Sequence, residues 1–194
     1  MPRDASVFVH EQALCESDTV GANTRVWAFA QVMAGAVVGE GCNVCGQVFV
    51  EAGAVVGDRV VLKNGVQVWD RVTIEDDVFV GPNATFTNDL IPRAAFKKPA
   101  TEFLPTRVCR GATIGANATI VCGVTLREGC FVAAGSVVAE DVPAFAMVRG
   151  VPARPAGWIC ACGEKLPEAD ASGWRHCHCT RRYRSGRDGL VLDV

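Results

Sequence analysis

Hydrophobic residues recur at every sixth position along most of this chain. The spacing runs from Phe8 to Phe86, breaks, and resumes from Val108 to Val138. The two runs hold 14 and 6 such positions, and every one of them is Val, Ile, Leu or Phe. A spacing of six fits neither the 3.6-residue period of a helix nor the two-residue alternation of a single strand. It predicts a solenoid in which each hexad is one short parallel strand followed by a corner.

A second pattern supports the solenoid. Two residues before each hydrophobic position, from Ala30 to Ser136, the chain has Ala, Cys, Val or Ser, with Thr106 as the exception. We expect the hydrophobic side chain to point into the coil and the small residue to fit the tight space beside the turn. Glycines that directly follow the hydrophobic position are expected to adopt unusual backbone angles at the corners: Gly21, Gly39, Gly57, Gly81 and Gly115.

The hexads divide the chain into three parts. Thr87 to Arg107 is a polar insertion with three prolines, and it interrupts the repeat. A long loop on a rigid scaffold is usually either functional or disordered, and we expect a function here. The predicted domains are a solenoid over residues 1–157 and a cysteine-rich tail over residues 158–194.

Composition narrows the possible functions. The chain has 194 residues, enough for one sizeable core and a small appendage. Its net charge of −2 gives no general attraction to nucleic acid or to an anionic membrane. Since neither a secretory signal nor a membrane span is recognisable, we expect a cytoplasmic protein with no nucleic-acid or membrane partner.

The ten cysteines form two groups. Six lie within the hexads and are interpreted as compact apolar fillers: Cys15, Cys42, Cys45, Cys109, Cys122 and Cys130. The other four form two Cys-X-Cys pairs separated by fourteen residues, which resembles a zinc ribbon with an unusually short spacing inside each pair: Cys160, Cys162, Cys177 and Cys179. His176 or His178 could replace one thiolate, and a metal-free hairpin or a flexible tail is the alternative.

A basic cluster surrounds the second cysteine pair. Its members would contact nucleotide phosphates or form a solvated surface: Arg175, Arg181, Arg182, Arg184 and Arg187.

Two longer segments carry a family resemblance. Residues 111–138 read GATIGANATIVCGVTLREGCFVAAGSVV and are followed by EDVPAFAMVRGVPAR, while residues 75–94 read EDDVFVGPNATFTNDLIPRA. Over residues 5–158 the chain resembles the hexapeptide-repeat nucleotide-sugar N-acetyltransferases. This resemblance implies an all-β, left-handed parallel β-helix with three hexads per coil. Twenty hexads then give about seven coils.

Within that family, the likeness is greatest to the WlbB/WbpD-type enzymes, which acetylate the 3-amino group of UDP-2-acetamido-3-amino-2,3-dideoxyglucuronate for surface polysaccharide. A dTDP-3-amino-3,6-dideoxyhexose N-acetyltransferase is the alternative enzyme, and a non-catalytic scaffold or binding protein is the alternative of another class. The resemblance implies a homotrimer with acetyl-CoA in a groove between neighbouring prisms.

The resemblance also assigns candidate residues to each substrate. Backbone contacts to acetyl-CoA are expected at Gly115, Ala133 and Ala134, with Arg149 and Arg154 at its phosphates or adenine, or else in a solvated turn. The candidate catalytic groups for the amino sugar, which would otherwise cap turns, are Asn83, Asn88, Asp89 and Glu102. The candidate substrate-binding groups, which would otherwise be solvated, are Lys63, Asn64, Lys97 and Lys98. Trp27 and Trp69 would stack on a base or pack between subunits.

Histidine usage departs from many hexapeptide acyltransferases, which use a histidine of the coils as general base. This chain has only His10, His176 and His178, none of them in the middle coils. The same lack argues against a γ-type carbonic anhydrase, which needs three histidines on zinc. Either the departing CoA sulfur or a loop carboxylate is therefore expected to accept the proton of the attacking amine.

Overall fold

The computed structural model describes residues 4–193. Residues 1–3 and Val194, at the outer ends of the two predicted domains, lie outside the described residues. The solenoid strands are β1 (Phe8–Val9), β2 (Leu14–Cys15), β3 (Thr19–Val20), β4 (Arg25–Val26), β5 (Gln31–Val32), β6 (Val37–Val38), β7 (Asn43–Val44), β8 (Phe49–Val50), β9 (Val55–Val56), β10 (Val61–Leu62), β11 (Gln67–Val68), β12 (Val72–Ile74), β13 (Phe79–Val80), β14 (Thr85–Phe86), β15 (Thr106–Val108), β16 (Thr113–Ile114), β17 (Thr119–Ile120), β18 (Thr125–Leu126), β19 (Phe131–Val132), β20 (Val137–Val138) and β21 (Ala146–Arg149). The remaining elements are a short 3₁₀ helix, η1 (Ala100–Glu102), and strands β22 (Arg154–Trp158), β23 (Trp174–His176), β24 (Arg182–Gly186) and β25 (Gly189–Asp193).

The solenoid has three faces, each formed by every third strand. Sheet A runs β1-β4-β7-β10-β13-β16-β19-β21 and ends on β22, sheet B runs β2-β5-β8-β11-β14-β17-β20, and sheet C runs β3-β6-β9-β12-β15-β18. All pairs are parallel except β21 with β22. The fold is therefore an all-β parallel solenoid of about eight turns, as the hexads predict, and it is consistent with the left-handed β-helix. The predicted seven coils were one too few, because β21 lies beyond the last regular hexad yet pairs with β19 as an eighth parallel strand of sheet A.

The core consists of the second residue of most strands, stacked coil on coil. From Val20 to Val138 the hexad positions are almost fully buried, together with the small residues two positions earlier. The prediction was wrong for the first two hexads. Phe8 and Leu14 are 42% and 47% exposed, and Val9 and Cys15 face the core instead. The first coil is one residue shorter than the others, since Phe8 pairs with Arg25, and this shift moves its outward and inward positions by one.

The corners follow a rule that the hydrophobic pattern did not reveal. Apart from the corner with the insertion, the third residue after each buried position from Val20 to Val132 has a positive φ, as in Asn23, Asn83 and Gly135. The expectation that Gly81 and its equivalents supply unusual angles was wrong. A Cβ at Gly81 would lie 2.6 Å from the backbone nitrogen of Ala116, so glycine is needed there because the next coil is close.

The insertion adds one long excursion to an otherwise regular coil. Phe79 pairs with Thr113 across the insertion, whereas Val61 pairs with Phe79 after a regular coil of three hexads. The part of the chain in excess of three hexads protrudes between β14 and β15. Thr106 and Arg107, counted in the predicted insertion, already belong to β15 because they pair with Val72 and Thr73.

The tail contains a separate antiparallel sheet of β23, β24 and β25, and we call residues 158–193 the ribbon. It has its own small core around Tyr183, Leu166 and Leu190. Phe145, from the solenoid side, belongs to this core, and Trp158 packs against both cores. No helix among the described residues is long and apolar enough to cross a membrane.

Candidate active site

The corners between sheet A and sheet B, which we call edge AB, align residues from every coil. The amide of Asn83 donates to the carbonyl of Asn64 at 2.9 Å, and the amide of Asn117 donates to Pro82 at 2.9 Å. One coil further on, the amide of Gly135 donates to Ala116 at 2.8 Å. The hydrogen bonds show that the corners stack in register. Edge AB therefore brings together seven of the candidate residues: Lys63, Asn64, Asn83, Gly115, Ala133, Ala134 and Arg149.

A groove of about 620 Å³ lies along the early part of edge AB. Its lining is mixed polar and aromatic: His10, Trp27, Ala28, Phe29, Asn43, Cys45, Gly46, Gln47 and Asn64. Of these residues, Asn64 and Trp27 were candidates from the sequence. The position equivalent to Lys63 is Cys45 in the preceding coil and Trp27 in the coil before that. This spacing of three hexads was the signal that would have found the groove.

His10 is the position equivalent to Trp27 in the first coil, because that coil is one residue shorter than the others. Its Nδ1 accepts a hydrogen bond from the amide of Gln12 at 3.1 Å. His10 lies three coils away from Lys63 along edge AB. As the sequence indicated, no histidine lies on the middle coils.

The insertion emerges at a different corner, between sheet B and sheet C, which we call edge BC. Its base is closed by a hydrogen bond from the amide of Leu104 to the carbonyl of Asn88 at 3.0 Å. The guanidinium of Arg71 donates to the carbonyl of Phe103 at 3.3 Å. The Thr87 hydroxyl accepts from the amide of Cys122 at 2.9 Å. The loop therefore has a defined stem on the scaffold.

Asp89 is engaged inside the insertion. Lys98 Nζ lies 2.5 Å from its carboxylate and also donates to the carbonyl of Ile91 at 3.0 Å. The carboxylate accepts a further bond from the amide of Ile91 at 3.0 Å. The Lys98 ammonium lowers the pKa of the Asp89 carboxyl, so this group is a weaker base than an ordinary aspartate.

The remaining loop candidates, Lys97 and Glu102, are exposed, and Glu102 ends the 3₁₀ helix η1. Three apolar side chains near them also face outward. Leu90 is 57% exposed, Ile91 58% and Phe96 79%. Clustered apolar exposure on a folded chain commonly marks a contact surface.

In one chain the candidate residues thus fall on two separate edges. Asn88, Asp89, Lys97, Lys98 and Glu102 belong to the insertion at edge BC, and the Asn83 group belongs to edge AB, with the whole width of sheet B between them. A single chain does not bring the two groups together.

Arg149 and Arg154 lie at the same end of the solenoid but have different surroundings. They face each other as partners in the β21–β22 pair, joined by a segment with a cis Val151–Pro152 bond. Arg154 lies 3.7 Å from the carboxylate of Glu140. Arg149 is exposed at the end of edge AB.

The two tryptophans also have different environments. Trp27 is exposed, donates from Nε1 to Asn43 Oδ1 at 2.6 Å, and lines the groove. Trp69 is half-buried, donates to the carbonyl of Phe86 at 2.9 Å and packs against Phe49. Trp69 therefore supports the stem of the insertion, while Trp27 remains available to a ligand.

The four tail cysteines converge in the ribbon. Their sulfurs all lie within 4.8 Å of one another, and the Cys160–Cys179 and Cys162–Cys177 pairs are each 3.5 Å apart. Neither histidine of the tail belongs to the group, since His176 contacts Asp170 and His178 lies 3.7 Å from Glu164.

Most of the tail arginines have partners within the ribbon. Arg175 contacts Glu168 and lies over the Trp158 ring, and Arg182 forms an ion pair with Asp193. Arg184 lies over the Trp174 ring, and Arg181 contacts the Cys179 sulfur. These contacts favour the solvated-surface interpretation over a phosphate site.

Comparison with known proteins adds a family to this geometry. Residues 53–88 match the family described as Bacterial transferase hexapeptide (six repeats), and residues 105–140 match Hexapeptide repeat of succinyl-transferase. The chain is 44% identical, over 187 residues, to the dTDP-3-amino-3,6-dideoxy-alpha-D-galactopyranose 3-N-acetyltransferase of Aneurinibacillus thermoaerophilus. That match spans 96% of this chain and 95% of the relative. The chain therefore belongs to the hexapeptide-repeat sugar N-acetyltransferases.

Two solved structures share the fold. The acetyltransferase domain of PglB from Neisseria gonorrhoeae, in complex with acetyl coenzyme A, is 21% identical with a TM-score of 0.50, over 78% of this chain and 55% of that chain. PerB from Caulobacter crescentus, in complex with CoA and GDP-perosamine, is 22% identical with a TM-score of 0.50, over 80% and 56%. The predicted acetyltransferase class is confirmed, and the non-catalytic scaffold is set aside. The predicted WlbB/WbpD-type substrate is not confirmed, because the full-length relative carries the name of the alternative enzyme.

Proposed function

We propose that this enzyme transfers the acetyl group of acetyl-CoA to the 3-amino group of a dTDP-3-amino-3,6-dideoxyhexose. The observation that carries the proposal is the 44% identity to an enzyme of that name over almost the whole of both chains. The insertion, the proposed sugar-binding part, lies inside the matched length. The UDP-linked glucuronate derivative expected from sequence is the competing substrate.

The separation of the candidate residues supports a site shared between subunits. Asn83 lies on edge AB and Asp89 on edge BC, so a second copy must supply one of them. The exposed Leu90, Ile91 and Phe96 of the insertion fit a contact with the neighbouring copy. A homotrimer, in which edge AB of each prism meets the insertion of the next, satisfies both observations and closes the ring.

Acetyl-CoA is assigned to edge AB. Gly115, Ala133 and Ala134 offer backbone amides and carbonyls at successive corners without a bulky side chain. The amide of Gly115 itself donates to the carbonyl of Val132 at 2.8 Å, and that of Ala133 to Val148 at 2.9 Å, so these two are already used by the coils. The carbonyls of Gly115 and Ala133 also accept bonds within the corners, from the amides of Ala118 and Ser136 at 3.3 Å each. The main-chain groups of Ala134 are therefore the proposed contacts for pantetheine, and exposed Arg149 is proposed to meet a CoA phosphate.

The reaction needs positioning more than an imidazole base. The sugar nitrogen attacks the thioester carbonyl carbon, a C–N bond forms, and the C–S bond breaks. The departing CoA sulfur becomes a thiolate and is the proposed final acceptor of the amine proton. Asp89 is a poorer candidate because Lys98 lowers its pKa. Asn83 and Asn88 are proposed to hold the amine and a sugar hydroxyl in the attacking geometry.

The tail cysteines are proposed to bind a structural zinc with no part in acetyl transfer, since they lie in the ribbon rather than on edge AB. The expected compartment is the cytoplasm, where thiols stay reduced.

The test is a substrate panel. Release of free CoA thiol from acetyl-CoA is measured with dTDP-linked and UDP-linked 3-amino sugars, with and without a sugar carboxylate. We expect kcat/KM for the dTDP-3-amino-3,6-dideoxyhexose to exceed that for the UDP-linked glucuronate by at least about a hundredfold, since the two sugars differ by a whole charge and a base. A higher kcat/KM with the UDP-linked sugar would restore the substrate expected from sequence.

A further inference from the structure

The tail contains two turns with nearly the same backbone. In residues 160–164 and in residues 177–181, the amide of the first cysteine donates to the carbonyl of the fifth residue, at 2.8 Å and 2.9 Å respectively. The amide of the fourth residue donates back to the first carbonyl, at 2.8 Å and 3.0 Å. The fourth residues, Gly163 and Thr180, both have positive φ, at 94° and 74°.

Thr180 makes this repetition informative. A β-branched residue rarely adopts a positive φ, and it persists there only when the surroundings impose the conformation. The second turn thus keeps the shape of the first without the glycine that makes the shape easy. Each turn holds its two cysteines at the first and third positions, and the sulfurs of both turns meet in one cluster. The single-residue spacing, unusual for a zinc ribbon, is therefore no obstacle.

The four sulfurs have the separations that a tetrahedral thiolate site requires. A Zn–S bond of about 2.3 Å gives sulfurs about 3.8 Å apart around one ion. Both of the closest pairs are 3.5 Å apart and all four sulfurs lie within 4.8 Å. An S–S bond, by contrast, is about 2.05 Å long. The set suits one metal ion.

Hydrogen-bond donors surround the sulfurs as they would surround charged ligands. The backbone amides of Glu164, Cys179 and Arg181 are placed to favour the charged forms of the Cys162, Cys177 and Cys179 sulfurs respectively. The fourth sulfur, that of Cys160, lies 3.2 Å from the buried Tyr183 hydroxyl.

A positive charge completes this shell. Arg181 Nη1 lies 3.4 Å from the Cys179 sulfur. Four thiolates on a divalent cation carry a net charge of about −2, which amides and a guanidinium stabilise.

We infer that Cys160, Cys162, Cys177 and Cys179 bind one Zn²⁺, and that this ion holds the ribbon as a cap on the last coil of the solenoid. The ribbon joins that coil through main-chain bonds. The amide of Ala144 donates to Asp188 at 2.8 Å, and the amide of Leu190 donates to Ala144 at 3.0 Å. The rings of Phe145 and Tyr183 meet at 5.0 Å, and the Tyr183 hydroxyl lies 3.2 Å from the Cys160 sulfur. Tyr183 therefore contacts both the end of the solenoid and a proposed zinc ligand.

A cap at this end of the solenoid has a structural purpose. Solenoids require terminal units that shield the last coil. The ribbon's own apolar core is small, and so small a unit ordinarily needs a disulfide or a metal to stay folded. Zinc on four thiolates supplies that constraint without an oxidising environment.

The experiment uses the full chain, purified under reducing conditions, and measures metal by mass spectrometry. We expect about one zinc per chain. The double variant Cys160→Ser/Cys177→Ser, which removes one ligand from each turn, should contain less than about a tenth of that. Cys109→Ser, a cysteine of the solenoid outside the cluster, is the matched control and should retain full zinc. Limited proteolysis should cleave the double variant within residues 158–194 and leave the solenoid intact.

A second measurement keeps the inference testable if the variant folds poorly. Cobalt added to the metal-free wild-type chain should produce the intense thiolate-to-metal absorption of a tetrahedral four-sulfur site. No zinc in the purified chain together with no such absorption would overturn the site. One iron per chain would overturn its assignment to zinc. Equal protease resistance of the zinc-loaded and zinc-free wild-type chains would overturn the role of the ion in the cap.

Discussion

Edges AB and BC differ in structure, and we propose a different role for each in the shared site. Edge AB repeats a short corner with almost no variation, so it offers a straight row of backbone groups at a spacing of about 4.8 Å. Edge BC has one short corner in the first coil and one long insertion, and the insertion offers side chains. A repeat supplies a surface for a long, flexible substrate such as CoA, while recognition of one sugar requires a departure from the repeat.

Removing the insertion should have the largest effect on turnover. Deletion of residues 88–103 leaves Phe86 and Val108 six positions apart, which restores the hexad spacing. The Leu104–Asn88 hydrogen bond shows that the two ends are already adjacent. We expect a folded chain with normal affinity for acetyl-CoA and about a thousandfold lower turnover, on the order of what positioning contributes.

Calorimetric titration with CoA and a thiol-release assay check this prediction. Normal turnover in the deletion variant would mean that the sugar binds elsewhere.

On edge AB the sharpest change is Asn83→Gly. Asn83 has φ 56°, which glycine adopts easily, so the backbone should be unchanged while the amide side chain is lost. Loss of a hydrogen bond to the reacting amine should lower kcat about 10- to 100-fold. Asn23→Gly is the matched control, because Asn23 has φ 60° at a corner between sheets C and A, where no candidate residue lies. Equal effects of the two changes on kcat would reduce Asn83 to a turn residue.

Within the insertion, the Asp89–Lys98 pair should matter less. Lys98→Met leaves the loop in place but releases Asp89, and we expect KM for the sugar to rise about two- to fivefold, as for an exposed ion pair. The pKa of Asp89 is lowered below its ordinary 3.8, so the carboxylate keeps its charge, and the pair its stabilising effect, until the pH falls through that lowered value. The ratio of variant to wild-type KM should therefore be constant between about pH 6 and pH 9. A ratio that changes across this range would show that another titrating group controls the loop.

The smallest effect concerns the point where the insertion rejoins the scaffold. The Thr106 hydroxyl is buried and has no hydrogen-bond partner among the described residues. Valine occupies the same slot at Val60 and Val66, so Thr106→Val should stabilise the fold by about 1 kcal/mol. Thr24→Val is the control. Its hydroxyl donates to Gly39 and accepts from Cys42, and its removal should destabilise the fold by about 1–2 kcal/mol. Chemical denaturation of both variants decides whether the signs differ.

The regular repeat could be predicted from the sequence, whereas contacts between coils and between chains could not. The hexads predicted the solenoid, its buried positions and the limits of the insertion to within two residues, because each coil contacts only its neighbours. The register of the first coil was missed because both registers place apolar residues inward. Phe8 and Leu14 fit the predicted register, and Val9 and Cys15 fit the observed one. The groove with His10 and Trp27 was missed because its residues are adjacent only across coils, at a spacing of three hexads rather than one. The two-edge separation of Asn83 and Asp89 depends on which corner carries the loop, and the repeat alone does not reveal that a second chain is needed.

The central claim, that edge AB of one copy meets the insertion of another, can be tested with the two impaired chains described above. Asn83→Gly and the 88–103 deletion are co-expressed with different affinity tags, and assemblies carrying both tags are isolated. If the site is shared in a trimer, each mixed ring pairs an intact edge AB with an intact insertion at one of its three sites, and activity should rise to about a third of wild type. Mixed assemblies no more active than the average of the two parent variants would contradict the claim and place the whole site within one chain.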